Sequence, residues 1–138
     1  MKRLSIRSVF AAPLLAALLM TACGEAVSDE HTIEDPASFA DGRVTMTAEA
    51  EERLDIQTTA IVTRGAGLMV PSSATITDPY GKDWVYTSPE PLVFIRERIR
   101  VARDDGDRAF LTSGPAVGTQ VVTVGVPELY GIEYEVGH

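Results

Sequence analysis

The chain is poor in the residues that most often carry chemistry. Its 138 residues hold one cysteine and two histidines. A single cysteine excludes an internal disulfide and a cysteine-rich metal site. His31 and His138 sit near the chain ends, away from a scaffold that could hold a general base in place. Basic residues are also scarce, with 12 Lys and Arg against 20 Asp and Glu and a formal charge of −8. Lys2, Arg3 and Arg7 stand in the first 22 residues, which contain no acid, so the remainder is more acidic still. Clustered cations are what neutralise phosphates and anionic headgroups, so this balance argues against nucleic acid and against a polybasic membrane patch. The longest apolar stretch, Val9 to Met20, is interrupted by Pro13 and falls short of the roughly 20 residues a membrane span needs.

That stretch follows a basic segment, Met1–Arg7, and runs through Leu19-Met20-Thr21-Ala22 to Cys23. Residues 1–22 have the form of a secretory signal peptide. Ending on the only cysteine, they resemble the lipobox of bacterial lipoproteins, with Met20 where leucine is usual. The resemblance implies that Cys23 is diacylated on sulfur, that the peptide is cut before it, and that its new amino group is acylated. Two or three acyl chains hold a protein at a bilayer where one does not, at about 0.8 kcal/mol per buried CH₂. The alternative is an ordinary signal peptide cut near Ala22 that leaves a free thiol.

Residues 23–42 contain Glu25, Asp29, Glu30, Glu34, Asp35 and Asp41, no Lys or Arg, and few large apolar side chains. Such composition does not bury enough surface to offset the cost of ordering, so the segment reads as a flexible acidic tether. Like charges extend it. His31 with these carboxylates could form a weak metal site, but a solvated histidine is the ordinary reading. No metal and no other cofactor is assigned.

Residues 43–138 read as mainly β. Thr47 is placed to cap a short helix over Ala48–Leu54, with Glu49, Glu51 and Glu52 near its N-terminal dipole. Gln57–Thr63 is rich in β-branched residues, and Leu68–Thr77 is a second extended run. Asp78-Pro-Tyr-Gly81 is a turn, Asp83–Thr87 a third strand and Ser88–Pro91 a tight connection. Leu92–Arg103 is the clearest strand. Val93, Ile95, Ile99 and Val101 fall on one face, and Phe94, Arg96, Arg98 and Arg100 on the other. Asp104-Asp-Gly-Asp107 closes a hairpin onto Arg108–Thr112. Gln120–Val124 is a last strand, followed by a capping turn or brief helix at 125–131. About six short strands with regular turns and one short helix suggest a small antiparallel β-barrel or sandwich.

Several pieces resemble a known family in order. Val70-Pro-Ser-Ser-Ala74 precedes Gly81-Lys82 and Trp84-Val-Tyr86. Then come Ile99-Arg-Val-Ala-Arg103, Asp105-Gly-Asp-Arg108, Leu111-Thr-Ser-Gly114 and Gly118-Thr-Gln-Val-Val-Thr-Val-Gly125 before Glu128-Leu129. This order resembles the C-terminal segment of periplasmic adaptor subunits, or membrane fusion proteins, of RND-type efflux pumps. Val117 stands where that family usually has proline. Arg43–Ala50 and Leu54–Thr58 resemble the opening segment of the same adaptors. In the family the two segments meet as a membrane-proximal domain, with barrel, lipoyl-like and helical-hairpin domains between them. Here Gly65-Ala-Gly-Leu68 alone separates them, so the resemblance implies that one domain with the middle looped out.

No nucleophile–base pair stands out, since Ser72, Ser73, Ser88 and Ser113 have no histidine beside them in sequence, and the chain reads as non-enzymatic. Asp104, Asp105 and Asp107 fit a turn better than a calcium loop, which needs a longer ligand series. Arg103 and Arg108 flank that hairpin and are read as holding its acids. The candidate partner-binding residues are Phe94, Arg96, Arg98 and Arg100, a guanidinium stripe suited to an acidic surface. A solvated strand face paired with nearby acids is the plainer reading. Trp84 and Tyr86 share a strand face, as core or as exposed anchors. The resemblance implies a lipid-anchored accessory domain on the outer side of a bacterial membrane, docking on an RND-type transporter or its full-length adaptor. The alternatives are a stand-alone small-ligand or metal-binding lipoprotein and a truncated adaptor remnant.

Overall fold

The computed structural model describes residues 35–136. The expected signal peptide, Cys23, His31 and most of the expected acidic tether lie outside those residues. The described chain is mainly β. β1 (Ala37–Ala40) and β2 (Arg43–Met46) form a hairpin, followed by α1 (Ala48–Leu54), β3 (Gln57–Ala60) and β4 (Val62–Arg64). β5 (Gly67–Pro71) leads through a 3₁₀ turn at Ser72–Ala74 to β6 (Ile76–Thr77). Then come β7 (Asp83–Glu90), β8 (Val93–Arg98), β9 (Arg100–Asp104), β10 (Arg108–Ser113), β11 (Gln120–Val124) and α2 (Val126–Val136).

Two antiparallel sheets result. The first has the order β1-β2-β8-β7-β11-β3, with β6 paired to β7. The second has the order β4-β5-β10-β9. The arrangement is a sandwich, not a closed barrel. The strands outnumber the sequence-based expectation because two continuous runs each serve both sheets. Gln57–Arg64 changes sheet at Ile61, whose N–H donates to Thr119 O (2.9 Å) while its own carbonyl accepts from Gly118 (2.9 Å). Leu92–Asp104 changes sheet at Ile99, whose N–H donates to Asp83 O (3.0 Å). Strands that turn a corner in this way are a recurrent device of sandwiches.

Adjacent residues of β7 and β11 explain the layering. Tyr86 and Val122 join a core with Val44, Met46, Ala50, Phe94, Val126 and Leu129. Their neighbours Val85 and Val121 join Ile61, Val70, Ala74, Ile99, Ala109 and Leu111. Successive strand residues point to opposite faces. The first sheet is therefore covered on both sides, by the helices on one and by the second sheet on the other.

The ordered domain begins earlier than composition suggests. Ala37–Ala40, assigned above to the flexible tether, pairs in register with Arg43–Met46. Asp41 (φ 52°) and Gly42 (φ 74°) make the two-residue turn, with the positive φ angles that a tight hairpin requires. Phe39 packs against the helix-side core and anchors the strand. The short helix forms where Thr47 predicts it, with the Thr47 hydroxyl accepting from Ala50 N–H at 3.2 Å. Of the two readings for 125–131, turn or brief helix, the helix forms, and it runs on as α2 to Val136. Pro127 is tolerated in its first turn, where an N–H is unsatisfied anyway. The expected connection at Ser88–Pro91 is also different. β7 continues through Pro89 to Glu90, across an irregularity in its pairing with β8. Such irregularities are where a strand accommodates proline.

Candidate functional site

Where β7 and β8 pair, Trp84 lies opposite Arg98 and Tyr86 opposite Arg96. The strand pleat therefore puts all four side chains, with Phe94, on the face that α2 covers. Asp78 sets the platform. Its Oδ1 accepts from the backbone N–H groups of Tyr80 and Lys82, both at 2.9 Å, and its Oδ2 accepts from the Trp84 indole at 3.0 Å. Burial raises the pKa of this carboxyl, but these donors and the Lys82 charge outweigh it and leave it below the usual carboxylate range.

The Arg96 guanidinium lies 4.3 Å above the Trp84 ring and 5.8 and 5.9 Å from the Tyr130 and Tyr134 ring centroids. The two tyrosine rings contact each other at 4.5 Å, tilted by 41°. Arg96 Nη2 pairs with Glu133 Oε1 at 2.9 Å, and the Tyr86 hydroxyl donates to Glu133 Oε2 at 2.6 Å. Arg96 and Glu133 keep only 20% and 12% of their side-chain exposure. Arg96 Nη1 is buried without a hydrogen-bond partner, so ring faces supply part of the guanidinium's surroundings. Burial, then the Glu133 carboxylate, push the Tyr86 hydroxyl far above its usual value. The Tyr134 hydroxyl, then burial, push Tyr130 up to about 12. The cluster is a polar latch that ties α2 to β7 and β8.

The predicted partner-binding residues thus separate. Phe94 is 1% exposed and belongs to the core beneath the helices. It is removed from the docking surface, because its strand face is the one α2 covers. Arg96 is held by Glu133 and the rings. Arg98 is exposed, 5.4 Å from the Trp84 ring centroid. Arg100 is exposed on β9, in the other sheet, because the chain crosses at Ile99. The four do not form one stripe.

Arg98 and Arg100 do meet at a different place. Together with Gly81, Asp83, Val101 and Thr112 they line an open cleft of about 450 Å³. Asp83, the acidic residue of this lining, has its Oδ1 engaged by the Thr77 hydroxyl at 2.7 Å. No spacing rule in the sequence could have found this cleft, since Gly81 and Thr112 reach it from separate loops and strands. A smaller apolar hollow of about 180 Å³ lies between β1, α1 and α2, lined by Pro36, Ala37, Ala50, Arg53, Leu54 and Ile132.

The β9–β10 hairpin uses its acids internally. Asp104 Oδ1 accepts from the Ser72 hydroxyl (2.6 Å) and Gly106 N–H (2.7 Å). Asp105 Oδ1 accepts from Arg108 N–H (2.8 Å) and Asp107 N–H (3.2 Å), and the Arg108 contact above all lowers its pKa. Arg103 makes no described ion pair with these acids, although its charge helps to lower the Asp105 pKa. Its guanidinium lies 4.2 Å over the Phe110 ring. Among the described residues, no three His, Cys, Asp or Glu side chains gather as a metal site would need. No described helix is long and apolar enough to cross a membrane. Compared against known protein families, curated proteins and solved structures, the chain has no significant match in any of the three.

Proposed function

We propose that this chain is a lipid-anchored, non-catalytic accessory domain that docks on an RND-type efflux transporter or on that transporter's adaptor in the cell envelope. The observation that carries the reading is the pair of exposed guanidinium groups, Arg98 and Arg100, at one open cleft of an otherwise acidic chain. The resemblance of residues 43–64 and 69–131 to an adaptor's membrane-proximal segments supplies the class of partner. The strand pairing is compatible with it: β2, β3 and β4 each pair with a strand from the later segment. Lipidation at Cys23 would keep the domain on the extracytoplasmic side of a bacterial membrane.

The test is crosslinking in the intact cell, with the tagged chain beside an Arg98→Glu/Arg100→Glu variant and partners identified by mass spectrometry. Arg96 is left in place, because changing it would loosen α2 and confuse docking with folding. Recovery of a transporter or adaptor by the parent chain, lost in the variant, is the expected outcome. A folded, abundant chain that recovers neither overturns the reading.

A second reading rests on the same cleft. Its volume falls in the range of roughly 300–1,000 Å³ common for small-ligand sites. A stand-alone ligand-binding lipoprotein predicts a thermal shift with a small anionic compound and no pump component among the crosslinked partners.

A further inference from the structure

β9 ends the second sheet. It pairs with β10 along one side, and among the described residues no strand pairs with the other. Unpaired strand edges present a row of N–H and C=O groups ready to accept another chain, and proteins usually cover or blunt them. Here no described strand covers the edge, although Ile99 N–H, just before it, donates to Asp83 O at 3.0 Å. The cleft at this strand is lined by consecutive residues 98–102 with Gly81, Asp83 and Thr112.

Arginines are concentrated along this edge, and its acids gather at the hairpin end. Arg98, Arg100 and Arg103 are all exposed, in a protein of net charge −8. Two of the three acids at the end of the hairpin are already engaged: Asp104 by Ser72 and Gly106, Asp105 by the turn's own N–H groups. Asp83 is engaged by Thr77. The arginines are less committed. Arg98 rests on Trp84, Arg103 on Phe110, and neither is paired by a described salt bridge.

We infer that the open edge of β9 is a strand-addition site for an extended acidic segment of a protein partner, with Arg98 and Arg100 receiving its carboxylates. Backbone pairing along an edge gives affinity, and alternate side chains give selection. An acidic strand meets complementary charge, whereas a basic strand meets Arg98 and Arg100. The inference rests on the docking reading for the identity of the partner. Its chemistry, a β-strand rich in Asp or Glu, is independent of that identity.

The test uses the full chain in detergent micelles and a fluorescent peptide of alternating glutamate and valine, read by anisotropy. Binding is expected to weaken about tenfold or more in the Arg98→Glu/Arg100→Glu variant and on raising the salt. In an antiparallel pair a residue's N–H and C=O point to the same side, so only alternate residues of the added strand face β9. N-methylating either the valines or the glutamates should therefore abolish binding for one set and spare it for the other. Equal binding of both methylated peptides overturns strand addition. Equal binding of a lysine–valine peptide overturns charge selection, and no binding at millimolar peptide overturns the whole.

Two other occupants are also decided. A concentration-dependent dimer, lost in the arginine variant and with no peptide bound, assigns the edge to a second copy. Peptide binding that appears only after Glu25, Asp29, Glu30 and Glu34 are changed to amides assigns it to the chain's own acidic segment 23–42; either result overturns the proposal. If the peptide binds as expected while crosslinking finds no pump component, the docking reading fails and the edge assignment stands.

Discussion

On one side of β7 and β11, Tyr86 and Val122 meet Phe94, Val126 and Leu129 beneath the helices; on the other, Val85 and Val121 meet Ile61, Val70, Ile99 and Leu111. The helix side buries two large aromatic rings, and it ends in a latch of ion pair, hydrogen bond and stacked rings around Arg96. The sheet side is aliphatic apart from the buried Thr87 hydroxyl bonded to Glu97 (2.9 Å), has no ion pair or ring cluster among the described residues, and meets the arginine-lined cleft at β9. A single strand pair thus supports one closed face and one face with a free edge. The closed face holds the domain together, and the open edge is the strand-addition site inferred above. The arginines divide accordingly: Arg96 is held inside the latch, whereas Arg98, at the exposed end of the same strand face, and Arg100 line the cleft.

The comparison is broken most severely by Phe94→Ala. Removing a fully buried ring should cost about 3–5 kcal/mol in urea denaturation. A cost below 1 kcal/mol would mean that Phe94 is not in the core. Next comes Glu133→Ala, which leaves Arg96 half-enclosed without its anion and the Tyr86 hydroxyl without its acceptor. The expected loss is about 1–3 kcal/mol. Trp84 is the only tryptophan, so its fluorescence should change with this substitution and report the loosening of α2.

A pH titration sharpens the platform. The folded pKa of Asp78 is depressed, so its contribution is fully present above the usual carboxylate value of 3.8 and is lost as pH falls through the lower folded value. Melting temperature should therefore drop as pH falls below about 4, and less so in Asp78→Asn, which already lacks the charge. Parallel curves would remove Asp78 from the account. Smallest of all is Arg98→Ala. An exposed side chain stacked on one ring should change stability by less than about 0.5 kcal/mol, while the peptide affinity at β9 falls. A large loss of stability would place Arg98 with the latch and not with the edge.

How much of this was legible in the sequence varies by element. The Thr47 cap, the turn after Asp104 and the alternation of Phe94, Arg96 and Arg98 are local facts, and the structure repeats them. β1 was hidden because its acidic surroundings outweighed Phe39 and the Asp41-Gly42 turn. The extent of α2 was hidden because Pro127 and Gly131 made its start look like a turn. The docking stripe was misplaced for a different reason. Period-two alternation says which residues share a face, but not what covers it.

The sequence by itself determined a mainly β domain, its principal turns, its short capped helix and the pairing of side chains by face, because these depend on residues a few positions apart. The tertiary structure alone decided that α2 lies over Arg96, that Ile61 and Ile99 carry single runs between two sheets, and that Arg98 and Arg100 share a cleft with Gly81 and Thr112. Each of these depends on contacts between segments distant in the chain. There, which surface is buried is set by the packing partner and not by the strand's own pattern.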